Sequence, residues 1–191
     1  MARAREFDED KALAAVEAVF WRQGYAASYA DLMAATGLGK GSMYAAFGDK
    51  RRLFRQALAR YVDREVGLLE AALRGEDATG NTTGGAARLR AVMSYPAMMA
   101  AGQGDARLGC FLCFSAMEVA PEDAEVAEIV NEAIGRIDDA LRSALSAAGA
   151  SPTLAPAISA AYFGLQVMAR AGAPVEMLQA GAEGALSMLA E

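Results

Sequence analysis

The feature that most narrows what this chain can fold into lies between Tyr25 and Leu53, where two short helical segments are separated by a single glycine turn. Ser28 stands where a helix N-cap is wanted, and Asp31, three residues on, matches it as in a capping box. Leu32 and Met33 supply the apolar positions before Thr36-Gly37 ends the segment, because a tight turn with positive φ calls for glycine. Leu38 follows, then a short helix from about Gly39 to Phe47 with Met43 and Phe47 inward, broken by Gly48-Asp49. Upstream, residues 8–22 place Leu13, Val16, Val19 and Phe20 on one helical face, begin on Asp8, Glu9 and Asp10, and stop at Gly24. This is helix-turn-helix organisation, in which the second helix of the pair enters a DNA major groove.

The remainder predicts further helices. Apolar residues make up 54% of the chain, with alanine and methionine abundant and β-branched residues few, which favours helix over strand. A long helix is expected from Lys50 to about Arg74, its stripe formed by Phe54, Ala57, Leu58, Tyr61 and Val62. A glycine-rich loop over 75–85 is followed by helices near 86–101 (bent at Pro96), 108–119, 122–148, 153–170 and 174–189. The expected fold class is all-α.

Several function classes are disfavoured. The charged residues 1–11 do not resemble a secretory signal, and the run Cys110–Met117 is far shorter than the ~20 residues that span a bilayer. Two cysteines without a secretory context point to a reducing compartment, so a cytoplasmic protein with no disulfide and no membrane partner is expected. With no histidine and only two cysteines there is no metal-ligand set, no catalytic triad and no cofactor motif, which argues against a small helical enzyme. Gly37-Leu38-Gly39-Lys40-Gly41-Ser42 fails as a phosphate loop, since Gly41 follows the lysine and position 34 is alanine. The net charge of −6 is unevenly placed: residues 1–60 hold 10 Lys/Arg against 7 Asp/Glu, whereas 61–191 hold 8 against 17. That asymmetry suits a nucleic-acid-facing N-terminal part.

On the expected outer face of the second short helix lie Lys40, Gly41, Ser42, Tyr44 and Ala45, small or polar residues that allow close approach to DNA. Ser28 and Lys50 start the flanking helices, where free amides and the helix dipole suit phosphates. The run from Phe20 through Gly24-Tyr25, Ser28, Asp31-Leu32, Gly37-Leu38, Lys40–Tyr44, Phe47 and Lys50 to Leu53-Phe54 resembles the DNA-binding signature of the tetracycline-repressor (TetR) family. The resemblance implies a three-helix DNA-binding domain (1–50) and a six-helix ligand-binding and dimerisation domain (51–191). It further implies a homodimer built on the last two helices, a DNA operator and a small-molecule effector. Position by position it implies that Ser28, Tyr44 and Lys50 hold phosphates, that Lys40 and Ser42 sit near bases or backbone, and that Tyr29 and Ala45 border the groove. The family often has a histidine just after the position of Tyr44, where this chain has Ala45, so base readout is expected to lean on few side chains or on DNA shape. Arg3 and Arg5 are candidates for a minor-groove arm.

In the second half, Met93, Met98, Phe111, Phe114, Met117, Tyr162 and Phe163 are candidate lining residues of an adaptable cavity for an apolar or aromatic effector, set against ordinary core packing. Arg90, Arg107, Glu118 and Gln166 are candidate polar anchors. Cys110 and Cys113 share a helical face near a helix N-terminus, which keeps a thiol-based sensor open beside the bland reading of small buried hydrophobes.

Overall fold

The computed structural model describes residues 7–75, 84–102 and 108–187. Within them the chain is helical, with no strand. The expectations for Arg3, Arg5 and Arg107 lie outside the described residues. Helix α1 (Glu9–Gln23) is N-capped by the Asp8 side chain and ends at Gly24, φ 73°. Helix α2 (Tyr29–Thr36) begins on a full capping box between Ser28 and Asp31 and ends at Gly37 in the left-handed conformation. Helix α3 (Lys40–Phe47) follows at once. Leu32, Met43 and Phe47 are buried, so the apolar positions of both short helices close a small core with Val16 and Phe20 of α1.

The expected long helix forms, with a difference. Helix α4 (Lys50–Tyr61) and helix α5 (Gly67–Arg74) are continuous, but Val62–Val66 between them are wound as a π-helical turn. Such a turn re-aims the side chains after it and is often found at functional sites. It carries Arg64 and Glu65.

Helix α6 (Gly85–Gly102) takes Pro96 within it. Helix α7 (Phe111–Glu118) is shorter than the sequence pattern suggests, and α8 (Ala124–Ala147) starts at the Asp123 N-cap rather than directly after Pro121. Helices α9 (Ala155–Ala171) and α10 (Val175–Ser187) complete the chain, α9 led in by a 3-10 turn at Pro152–Leu154. Helix α6 packs on α8, α9 and α10, and α9 packs on α8 and α10.

The core runs without a break from the first three helices into the rest. Phe54 of α4 meets Phe20 at 5.0 Å, Tyr25 at 5.3 Å and Phe111 at 5.4 Å between ring centroids, all edge-on. Tyr61 continues the chain of rings to Phe111 at 5.5 Å and to Trp21 at 5.1 Å. Edge-to-face contacts of this kind add about 0.5–1.5 kcal/mol each beyond area burial. Polar bonds reinforce the seam. The Trp21 indole donates to the Gly109 carbonyl at 2.9 Å, and Arg170 of α9 donates to the carbonyls of Leu108 (2.7 Å) and Trp21 (3.4 Å). Among the described residues no helix is long and apolar enough to cross a membrane.

Candidate nucleic-acid interface and ligand cavity

Helix α2 is tied to α3 and to the start of α4 by contacts among polar and aromatic side chains. Lys40, Gly41, Ser42, Tyr44 and Ala45 are exposed along α3, as the alternation with buried Met43 and Phe47 requires. No side chain caps α3, whose N-cap is Gly39, so its first amides stay available. Free amides at a helix start are a ready anion site.

Ser28 is exposed but occupied. Its hydroxyl accepts from the Asp31 N–H at 3.2 Å and donates to the Asp31 carboxylate at 2.6 Å. Tyr29 lies across the gap to α4, where its hydroxyl oxygen accepts the Lys50 backbone N–H at 3.1 Å. Its ring sits 5.4 Å from that of Tyr44, and the Lys40 ammonium lies 5.3 Å from one ring and 5.9 Å from the other. Lys50 rests over Tyr25 at 4.6 Å. Aromatic faces hold cations with modest energy, about 0.5–1 kcal/mol at exposed sites, which positions these ammonium groups without neutralising them. Desolvation, and then the neighbouring Tyr44 hydroxyl, push the Tyr29 phenol up to about 12, so it stays protonated at neutral pH. Of the eight residues singled out on this part of the chain, Tyr29, Lys40, Tyr44 and Lys50 are brought together by these contacts, and Ser28, Gly41, Ser42 and Ala45 are exposed beside them in sequence. Sequence reasoning missed the Tyr29–Lys50 bond, which joins positions 21 apart and leaves no local signal. At the start of α4, Arg52 is exposed, whereas Arg51 turns to the start of α8 and pairs with Asp123 at 3.0 Å.

Two adjoining cavities lie beneath the long helix. The larger, about 480 Å³, is bounded by α4–α5, α6 and α9, with Val66, Leu69, Val92, Leu112, Tyr162 and Phe163 among its lining. The smaller, about 230 Å³, reaches Trp21 of α1 and Pro174. Of the seven candidate lining residues, Met98, Tyr162 and Phe163 border the larger space. The other four border neither. Met93 and Phe111 are fully buried, Phe111 within the aromatic chain that joins the two halves. Phe114 lies under the Arg170 guanidinium, 3.3 Å from its ring centroid, and Met117 points to solvent, 58% exposed. Helical spacing identifies an apolar face but not whether a neighbouring helix fills it, which is why these four were indistinguishable from true lining.

Of the candidate polar anchors, Gln166 borders both cavities and donates to the Tyr162 hydroxyl at 3.0 Å. Glu118 instead accepts from the Tyr25 backbone. Arg90 borders a separate crevice with Ala182 and Leu186. Glu65, not singled out from sequence, lies on the wall common to both cavities.

Cys110 is the N-cap of α7, and both cysteines are buried and unpaired by any disulfide. Cys110 borders the larger cavity, and its sulfur takes the Tyr61 hydroxyl at 3.6 Å. The hydrogen bond from Cys113 favours the Cys110 thiolate, while the same contact pushes the Cys113 thiol up. Among the described residues no cluster of metal-ligating side chains occurs.

Comparison with known proteins agrees with this geometry. Residues 12–57 match the family described as bacterial regulatory proteins, tetR family. The HTH-type transcriptional repressor ComR of Escherichia coli (strain K12) is 31% identical over an alignment that covers 92% of this chain and 86% of ComR. The regulator CifR, in a cysteine mutant solved with 26-base-pair double-strand operator DNA, superposes with a TM-score of 0.80 at 27% identity, over 98% of this chain and all of that one. A regulator from Agrobacterium tumefaciens shares the fold (TM-score 0.78, 21% identity, 94% of this chain and 96% of that one). With a helix-turn-helix whose exposed face carries the expected residues, and a relative this similar along nearly its whole length, the chain belongs to the TetR family of transcriptional regulators.

Proposed function

We propose that the chain is a ligand-responsive repressor, acting in the cytoplasm as a homodimer on a roughly palindromic operator. In this reading Ser28, Tyr29, Lys40, Ser42, Tyr44 and Lys50 contact DNA, and a small apolar or aromatic molecule in the larger cavity favours release. ComR is by name a repressor and CifR is solved on operator DNA, which supports the DNA-binding half of this reading. The observation that carries the reading is continuity: one helix, residues 50–74, starts on the polar face at Lys50 and forms a cavity wall from Tyr61 to Ala72. A ligand that prefers one setting of this helix shifts the population of head positions; a ligand with equal affinity for both settings shifts nothing. The two recognition helices of a dimer would sit about 34–36 Å apart, one DNA turn.

The test is selection from random-sequence DNA with the wild type and with Tyr44→Ala/Lys50→Ala. An enriched palindrome that the double variant fails to bind supports the reading. No enrichment, or enrichment indifferent to both substitutions, overturns it.

One observation favours a second reading of the sensing step. Cys110 is a residue of the cavity wall and its thiolate is favoured, so an electrophile that reached the sulfur would be captured by addition. The sulfur bonds to the β-carbon of an activated alkene and the thiol proton passes to the α-carbon. Under this reading Cys110→Ser abolishes release by such electrophiles and spares release by unreactive ligands.

A further inference from the structure

The two cavities share a wall of Tyr61, Glu65, Tyr95 and Gln166. Among the described residues lining either space, Glu65 is the one carboxylate, and no lysine or arginine lines them. Around it the larger cavity is aliphatic and aromatic. A single carboxylate in such a wall acts through a lower effective dielectric than in water, so its sign weighs on what binds.

The Glu65 carboxylate is only partly engaged. One oxygen accepts from the Arg64 guanidinium at 3.0 Å, and the other receives a long contact from the Tyr95 hydroxyl at 3.5 Å. A carboxylate has roughly four acceptor sites, so capacity remains for a donor arriving from the cavity. A neutral apolar ligand that displaced water here would leave those acceptors unmatched. An anionic ligand would add a like charge.

We propose that the effector is a lipophilic cation, its ammonium or equivalent donor group held by Glu65 and its aromatic or aliphatic body in the larger cavity. The proposal rests on the reading of this cavity as the effector site. It also gives the bound charge a route to the head. Arg64, beside Glu65 on the π-helical turn, pairs through its other nitrogen with Glu17 of α1 at 2.7 Å. A cation at Glu65 repels Arg64 and competes for its partner, which alters the balance of an ion pair that ties the π-helical turn to α1.

The experiment compares three probes of matched shape on the full chain near neutral pH: phenylbutylamine, phenylbutanol and phenylbutyrate. Binding is followed by calorimetry and by fluorescence of Trp21, the only tryptophan, which borders the smaller cavity. The amine is expected to bind most tightly, at least about tenfold above the carboxylate, as charge-assisted bonding predicts. In Glu65→Gln that spread should fall to about twofold, while the alcohol still binds, which reports an intact cavity. Equal or tighter binding of the carboxylate by the wild type, or an amine preference that survives Glu65→Gln, overturns the cation assignment and leaves the cavity reading standing. Failure of all three probes overturns both. The wild-type ranking decides the sign of the ligand even if the variant does not fold.

Discussion

The backbone N–H of Tyr25 donates to a carboxylate oxygen of Glu118 at 3.0 Å, joining the end of the first helix to the end of α7 across 93 positions. The same carboxylate fixes what can precede Tyr25. A Cβ on Gly24 would lie 2.6 Å from the Glu118 oxygen, and Gly24 has φ 73°, where side chains are strained. Gly24→Ala is therefore expected to lower stability by about 1–3 kcal/mol, combining backbone strain with loss of this contact. Glu118→Ala should cost less, about 1 kcal/mol, because Glu118 is exposed and water can replace it at the Tyr25 amide. Urea unfolding of both variants checks the order; equal losses would show that the glycine matters only through Glu118.

A second prediction separates positioning from charge on the DNA face. Tyr29→Phe removes the acceptor of the Lys50 amide without changing net charge. It should weaken operator binding several-fold and leave the salt dependence of binding unchanged. Lys40→Ala removes a cation held over two tyrosine rings, and should lower the salt slope by about one, as loss of one phosphate contact does. Binding isotherms across a salt series test both; identical slopes for Lys40→Ala and wild type would remove Lys40 from the phosphate contacts.

These contrasts mark what sequence can reveal. The capping box at Ser28–Asp31, the left-handed Gly37 and the inward Met43 and Phe47 are local, set by spacings of one helical turn, and each is legible from residue type alone. The exposed row on α3 follows from them. The cavity is different. Whether Met93 or Met98 borders space depends on where α6 meets α8, α9 and α10, which no local pattern encodes. Glu65 escaped notice for the same reason: in a regular helix it reads as one more solvated acid, and only the π-helical turn and the approach of Tyr95 place it at the cavity wall.

A third prediction concerns pH. The Glu70 carboxylate of α5 accepts two bonds from Arg136 of α8, at 3.1 and 2.8 Å, and that pairing holds its pKa below the ordinary value of 4.5. A lowered folded-state pKa means the pair stabilises fully above the unfolded value and loses its contribution as pH falls through the folded one. Glu70→Gln should therefore be less stable than wild type at pH near 7, by about 1 kcal/mol for a partly exposed bidentate pair. The difference should shrink steadily as pH falls below the ordinary carboxylate value of 4.5. Thermal unfolding of the two proteins across that range checks the sign; a gap that widened in acid would refute it.

The last prediction bears on assembly. The outer face of α9 carries Ala160, Gly164, Val167 and Ala171, all exposed and spaced one turn apart, and α10 beside it exposes Met177, Ala180, Gly181 and Gly184. Neither stripe contains a charge. Val167 is 43% and Met177 52% exposed, so the pair of helices presents an apolar face with small residues through which two backbones can approach closely. A homodimer formed through this face by a twofold axis would bring each Val167 near the axis-related α9 or α10. Val167→Asp should then convert dimer to monomer in light scattering at micromolar concentration and weaken operator binding by at least about tenfold, since each head would bind its half-site alone. The recognition face is untouched by that change, so a monomer that kept full operator affinity would mean the two heads do not act together.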